Sequence, residues 1–157
     1  ACSPQTRESD TYLFCAQGRN YSAAKAACVA EGMHLIRIDD LAEQSWMSAQ
    51  RSTAFGGLPR VWMAANDATS EGVWVWHDNE QFWQGGSGGA VVGGLYARWR
   101  GGEPNNGDGV EDCGTVDDNA AGRWDDRSCG ETHRFICERD AEIIEELRRD
   151  DAACRRS

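Results

Sequence analysis

Glu103-Pro104-Asn105-Asn106, Glu111-Asp112-Cys113 and Trp124-Asp125-Asp126 fall within one stretch, residues 103–126, that closes on Cys129. The stretch carries carboxylates at Glu103, Asp108, Glu111, Asp112, Asp117, Asp118, Asp125 and Asp126, with Asn105, Asn106 and Asn119 between them. Pro104 and four glycines keep most of it from being helical, so these acids cannot simply line a solvated helix face. Crowded carboxylates repel one another, and unpaired ones resist burial. A divalent cation relieves both penalties, and donors that are all oxygen favour calcium over zinc or copper. An acidic surface loop is the plainer alternative. Against it, Cys113 and Cys129 bracket the second half, and Trp124 directly precedes the Asp pair. A floppy loop needs neither an anchor nor a tryptophan.

At 157 residues the chain has the size of one domain with a real core, much of it supplied by seven tryptophans. The formal charge of −10 argues against nucleic acid, whose phosphates would be repelled. No apolar run approaches the ~20 residues that span a bilayer. No leader segment is legible, and the sequence reads as a mature form beginning at Ala1. Seven cysteines are too many for a reducing compartment unless they bind metal. There is no C-x-x-C pair, and the three histidines are not at zinc spacing, so disulfides are expected. That places the protein outside the cytoplasm, as a secreted, extracellular chain, and leaves one thiol over.

Outward from the acidic stretch, the sequence reads as α+β. Residues 1–21 suggest a stapled hairpin with Tyr12 and Phe14 inward. Ser22 reads as the N-cap of a helix over Ala23–Glu31 that ends at Gly32. Leu35, Ile36 and Ile38 suggest a short strand. Asp40 and Glu43 form a capping box that opens a second helix, with Ala42, Trp46 and Ala49 on one face. Val61–Ala65 and Val73–His77 are β-like, with Trp74 and Trp76 on a shared face. Between them, Asp67 and Glu71 form a second pair of oxygen donors, read on its own as a solvated turn.

Gly85-Gly86-Ser87-Gly88-Gly89 is a literal G-x-S-x-G, but no helix follows Ser87, and a nucleophile elbow needs one. His34, His77 and His133 read as strand or loop surface, without a nucleophile beside them. An enzyme is therefore not expected. The final strand is His133–Glu138, with Phe135 and Cys137 inward. Beyond it, 140–157 reads as a charged helical tail outside the 1–139 domain. Ile143, Leu147 and Cys154 form a stripe there, and Glu145 and Arg149 form an i,i+4 pair.

The combination of early helices, Val61-Trp62-Met63-Ala64-Ala65-Asn66-Asp67, Glu71-Gly72-x-Trp74-x-Trp76, Glu103-Pro104-Asn105 and Trp124-Asp125-Asp126-x-x-Cys129 resembles a C-type lectin-like domain. The resemblance covers roughly residues 2–139. It implies a double-loop fold of two helices, small antiparallel sheets and a long calcium-binding loop region. It also implies disulfides Cys28–Cys137 and Cys113–Cys129, with Cys2–Cys15 as the additional N-terminal pair of the long form. A cis bond at Pro104 is implied as well.

By position, the resemblance implies a principal calcium site of Glu103, Asn105, Glu111, Asp125 and Asp126. An auxiliary site would use Asp67, Glu71, Asn106 and Asp112, where the family usually has an acid in place of Asn106. The Glu-Pro-Asn order implies a glycan partner with the vicinal diol of a mannose-type sugar: mannose, glucose, N-acetylglucosamine or fucose. One hydroxyl would meet Glu103 and Asn105, the other Glu111 and Asp125.

One departure bears on function. The family's closing motif is usually Trp-Asn-Asp, and an ionised Asp125 only accepts hydrogen bonds, so the second hydroxyl loses its donor. The competing expectation is therefore a calcium-stabilised interaction domain without sugar binding. An ice-binding variant lacks the threonine-rich flat array it would need. Tyr96 and Trp99 are candidates to flank a sugar, and Cys154 is a candidate for an intermolecular disulfide giving a homodimer.

Overall fold

The computed structural model describes residues 2–140, Arg149 and Ala153. The expected tail helix, its Ile143/Leu147/Cys154 stripe, the Glu145–Arg149 pair and the Cys154 dimer contact lie outside the described residues. Strand β1 (Cys2–Arg7) pairs with β2 (Asp10–Arg19), Cys2 standing opposite Cys15 and bonded to it. Tyr12 and Phe14 are buried, as the period of two requires. Strand β2 pairs in turn with the last strand, β10 (His133–Arg139), so both ends of the domain close on each other.

β10 also pairs with β3 (His34–Leu35) and runs parallel to β4 (Val61–Asn66). From β4 the sheet continues antiparallel through β5 (Val73–Val75), β6 (Gln81–Gln84) and β7 (Ala90–Val91). A branch leaves β4 through β8 (Cys113–Val116) to β9 (Trp124–Arg127), the strand that carries Asp125 and Asp126. The described strands therefore form one connected sheet rather than several small ones.

Helix α1 (Tyr21–Ala30) starts earlier than expected, and its N-cap is Asn20, not Ser22. Asn20 Oδ1 accepts from the Ala23 amide at 2.9 Å. Both residues suit a cap, and tertiary contacts choose between them. The Tyr21 hydroxyl donates to the Ala64 carbonyl at 2.9 Å, and its ring packs edge-on to Trp62, which holds Tyr21 as the first helical residue. Cys28 is buried in α1 and bonded to Cys137 on β10; Cys113 and Cys129 are bonded to each other.

Helix α2 (Leu41–Phe55) has the expected N-cap, Asp40 Oδ1 accepting from Glu43 N at 2.7 Å, while Glu43 Oε1 reaches one residue further back, accepting from Asp39 N at 2.9 Å. Its buried face differs. Ala42 and Ala49 are exposed, and Glu43, Gln44, Met47, Ser48 and Arg51 are buried. The cause is what the helix packs on. Ser48 donates to the Ala120 carbonyl, Gln44 to Gly122, and Arg51 to Pro59, Asp117 and Asn119, so the helix satisfies backbone oxygens as well as packing Trp46, Met47 and Phe55 on the core. That face pins the segment leading into β9.

Trp62, Trp74, Trp76 and Trp124 are fully buried. Trp124 lies at the centre of an aromatic cluster, 5.6 Å from Trp76, 5.8 Å from Phe82, 5.7 Å from Tyr96 and 5.9 Å from Trp99 between ring centroids. Its indole N–H donates to Gln44 Oε1 at 2.8 Å. Trp99 is therefore core, not a residue flanking a sugar, and Tyr96 packs on the same cluster. The expected strands at 35–38 and 73–77 end at Leu35 and Val75; Ile36, Ile38 and Trp76 are buried beyond them. The glycine-dense run is a tight turn, in which a Cβ on Gly89 would strike the Gln84 carbonyl. That accounts for the glycine at 89 without a nucleophile.

Candidate metal centre and glycan site

The loop from Gly102 to Asp112 projects from the sheet beside β9. Its Glu103–Pro104 bond is cis. Asn106 (φ 48°) and Asp108 (φ 54°) hold left-handed backbone, which asparagine and aspartate tolerate better than most residues. The loop closes on one carboxylate. Asp126 Oδ1 accepts from the Asn105 amide at 3.1 Å and Asp126 Oδ2 from the Asn106 amide at 2.6 Å.

Glu103, Asp125 and Asp126 converge there, with one carboxylate oxygen of each within 4.8 Å of the others, and all three residues are buried. Glu103 Oε2 finds no hydrogen-bond partner among the described residues. Burial first, then Asp126 and Asp125, pushes the Glu103 carboxyl up to about 8. Burial also raises Asp125, although Arg60 and Arg100 pull it down. Asn105 joins the group through its side-chain amide, which donates to Glu103 Oε1 at 3.1 Å. Glu111 stands slightly apart, its Oε1 accepting from the Gly107 amide at 2.7 Å.

The carboxylates of the second expected set also gather. Asp67, Glu71 and Asp112 bring carboxylate oxygens within 4.8 Å of one another. Burial, then Glu71 and Asp112, against the opposing Gly72 amide, pushes Asp67 up to about 8, and its Oδ1 is buried without a partner among the described residues. Asn106 borders the same cavity, and its Oδ1 accepts from the Glu111 amide at 3.1 Å. A cavity of about 440 Å³ runs between the two sets, bordered by Asp67, Glu71, Trp74, Asn105, Asn106 and Asp126.

Both sets pass the same chemical test for calcium. Their donors are oxygens only, and each contains a buried carboxylate oxygen with nothing in the described protein to satisfy it, as a hard cation would.

The arginines of the site are absent from the motif. Asp125 Oδ2 lies 3.2 Å from Arg60, 3.5 Å from Arg100 and 3.7 Å from Arg127. Arg60 and Arg100 also pair with buried Asp117, and Arg100 with Glu103. The acid standing where the family has an asparagine is thus matched by guanidiniums from three segments. Arg127, one residue after the motif, was within reach of sequence reasoning; Arg60 and Arg100 carried no local signal.

The sequence matches the Lectin C-type domain over residues 17–139. The chain belongs to this C-type lectin family. Collectin-11 of Bos taurus is 33% identical over 137 residues, which are 87% of this chain and 46% of that protein. The chain thus spans about half the length of such relatives. The mouse scavenger receptor C-type lectin carbohydrate-recognition domain superposes with a TM-score of 0.71 at 28% identity, covering 87% of this chain and 95% of that one. A calcium-independent type II antifreeze protein superposes with a TM-score of 0.70 at 22% identity, covering 88% and 95%, which shows the shared fold alone. As a C-type lectin domain, the chain is a binding module rather than an enzyme. Among the described residues, no helix is long and apolar enough to cross a membrane.

Proposed function

We propose that this C-type lectin domain is a secreted, calcium-dependent glycan-binding module that recognises the vicinal diol of a mannose-type sugar. The observation that carries the reading is the unpartnered, buried Glu103 Oε2 at the point where Glu103, Asp125 and Asp126 converge. Glu103, Asn105, Glu111, Asp125 and Asp126 would hold the ion, and Asp67, Glu71, Asn106 and Asp112 a second one. When bound, calcium supplies open coordination positions for two neighbouring hydroxyls.

The protein's own groups then orient the sugar. Glu103 accepts from the first hydroxyl, and the Asn105 amide donates to it. Glu111 accepts from the second. Asp125 cannot donate, but the half-exposed Arg100 and Arg127 guanidiniums beside its Oδ2 hold N–H groups that can. The donor missing from the motif is thus available from its neighbours. The alternative, a calcium-stabilised interaction domain without sugar binding, is favoured by the same contacts if those guanidiniums remain committed to Asp125.

Chromatography on immobilised mannose separates the two. Retention in calcium with release by chelator or free methyl mannoside supports the lectin reading. Passage through the column by a protein whose melting temperature still rises with calcium supports the alternative. A disulfide through Cys154 would pair two such sites and add avidity; a species of doubled mass on a non-reducing gel, absent in Cys154→Ser, is the expected result.

A further inference from the structure

Away from the acidic loop, three side chains from distant segments meet: His34 in β3, His77 just after β5, and Asp140 at the end of β10. The imidazole rings of His34 and His77 stack with centroids 3.5 Å apart and planes within 3°. His34 Nε2 lies 3.2 Å from Asp140 Oδ2. One ligand-capable atom from each of the three lies within 4.8 Å of the others. We propose that His34, His77 and Asp140 form a second kind of metal site, for a divalent transition metal of the zinc class, independent of the calcium loop.

The donor set makes the first argument. Two imidazole nitrogens and one carboxylate suit zinc, whereas calcium takes oxygens. Tautomer control makes the second. His34 Nδ1 is 2.6 Å from the Leu35 carbonyl, which can only accept, so Nδ1 donates there and Nε2, on the Asp140 side, is the nitrogen left to ligate in exchange for its proton.

Distances agree. Tetrahedral coordination at bonds of ~2.0 Å sets neighbouring ligand atoms about 3.3 Å apart, close to the 3.2 Å between His34 and Asp140. His77 must turn out of the stack for its lone pair to converge. Its ring makes no hydrogen bond among the described residues that would resist the turn. A pocket of about 230 Å³, bordered by Lys25, Asn79 and both histidines, leaves room for a water or an exogenous donor at the fourth position. An ion here would tie the exit of β10 to β3 and to the turn between β5 and β6.

The test is zinc titration calorimetry on untagged, calcium-saturated protein carrying Cys154→Ser, so that the seventh cysteine offers no thiolate. Cobalt absorption serves as a second readout. One equivalent should bind, with affinity falling about tenfold or more in His77→Ala and in Asp140→Asn. Asp126→Asn should leave zinc binding unchanged, and His77→Ala should leave calcium binding unchanged, which also certifies that variant's fold. Absence of a stoichiometric zinc site, zinc affinity unchanged in both site variants, or loss of zinc binding only in Asp126→Asn would each overturn the proposal.

Discussion

Around Asp125 the acids are matched by arginines: Arg60, Arg100 and Arg127 approach its carboxylate, and two of them also meet Asp117. Around Asp67 no arginine or lysine makes an ion pair with Asp67, Glu71 or Asp112 among the described residues, and the polar relief for Asp67 is a backbone amide. Both clusters border one cavity, yet one carries much of its countercharge within the protein and the other has none. The first can keep its shape without an ion. The second depends on protons or a cation to offset its own repulsion. Calcium removal should therefore loosen residues 67–72 more than β9, an outcome that amide hydrogen exchange would show directly.

The largest effect should come from breaking the countercharge. Arg60→Ala leaves buried Asp117 and Asp125 without their nearest cation, and removing one partner of a buried pair costs about 3 kcal/mol or more. Urea unfolding without calcium should show that loss, and saturating calcium should recover part of it. No recovery would mean the ion and the arginine act on different groups.

Next in size is Asp126→Asn. It removes a charge from the principal set and weakens the acceptor for two loop amides. Hydrogen bonds to charged groups contribute about 1.5–3 kcal/mol, so calcium affinity and mannose retention should fall on the order of ten- to a hundredfold. Asp67→Asn should reduce calcium stoichiometry while sparing the mannose column. It should also stabilise the metal-free domain by up to about 1 kcal/mol, since a buried, poorly compensated acid is replaced by a neutral amide.

Acidity sharpens the same comparison. Without calcium, the Glu103 and Asp67 carboxyls titrate near 8 in the folded protein but near 4 when unfolded. The folded state therefore holds more protons between those values. Stability of the metal-free domain should fall as pH rises through that window. With calcium present the trend reverses, because protons and the ion compete for the same oxygens, and calcium affinity should fall from pH 7 to 5. Melting curves across pH, with calcium and with chelator, should cross; parallel curves would count against metal at these acids.

The part of the site that was legible in the sequence is the part carried by neighbours in the chain. Glu103-Pro104-Asn105 and Trp124-Asp125-Asp126 are short motifs, and they converge as expected. The hairpin facing Tyr12 and Phe14 inward followed from period-two alternation. What stayed hidden was long-range. Helix α2 buries Gln44, Ser48 and Arg51 because its neighbour offers carbonyls, and Glu43 because Tyr12 offers a hydroxyl, and hydrophobic periodicity has no way to register that. Trp99 reads like a surface aromatic within a glycine-rich loop, yet it packs between Trp74 and Trp124. Arg60 lies far from Asp125 in sequence and meets it only through the pairing of β4, β8 and β9.

The most direct measurement is sequential calorimetry on metal-free protein, calcium first and methyl mannoside second. Calcium should bind with measurable heat, and sugar heat should appear only after calcium is in place and vanish on adding chelator. Sugar binding that persists without calcium, or an absence of any calcium heat, would contradict a cation held between Glu103, Asp125 and Asp126.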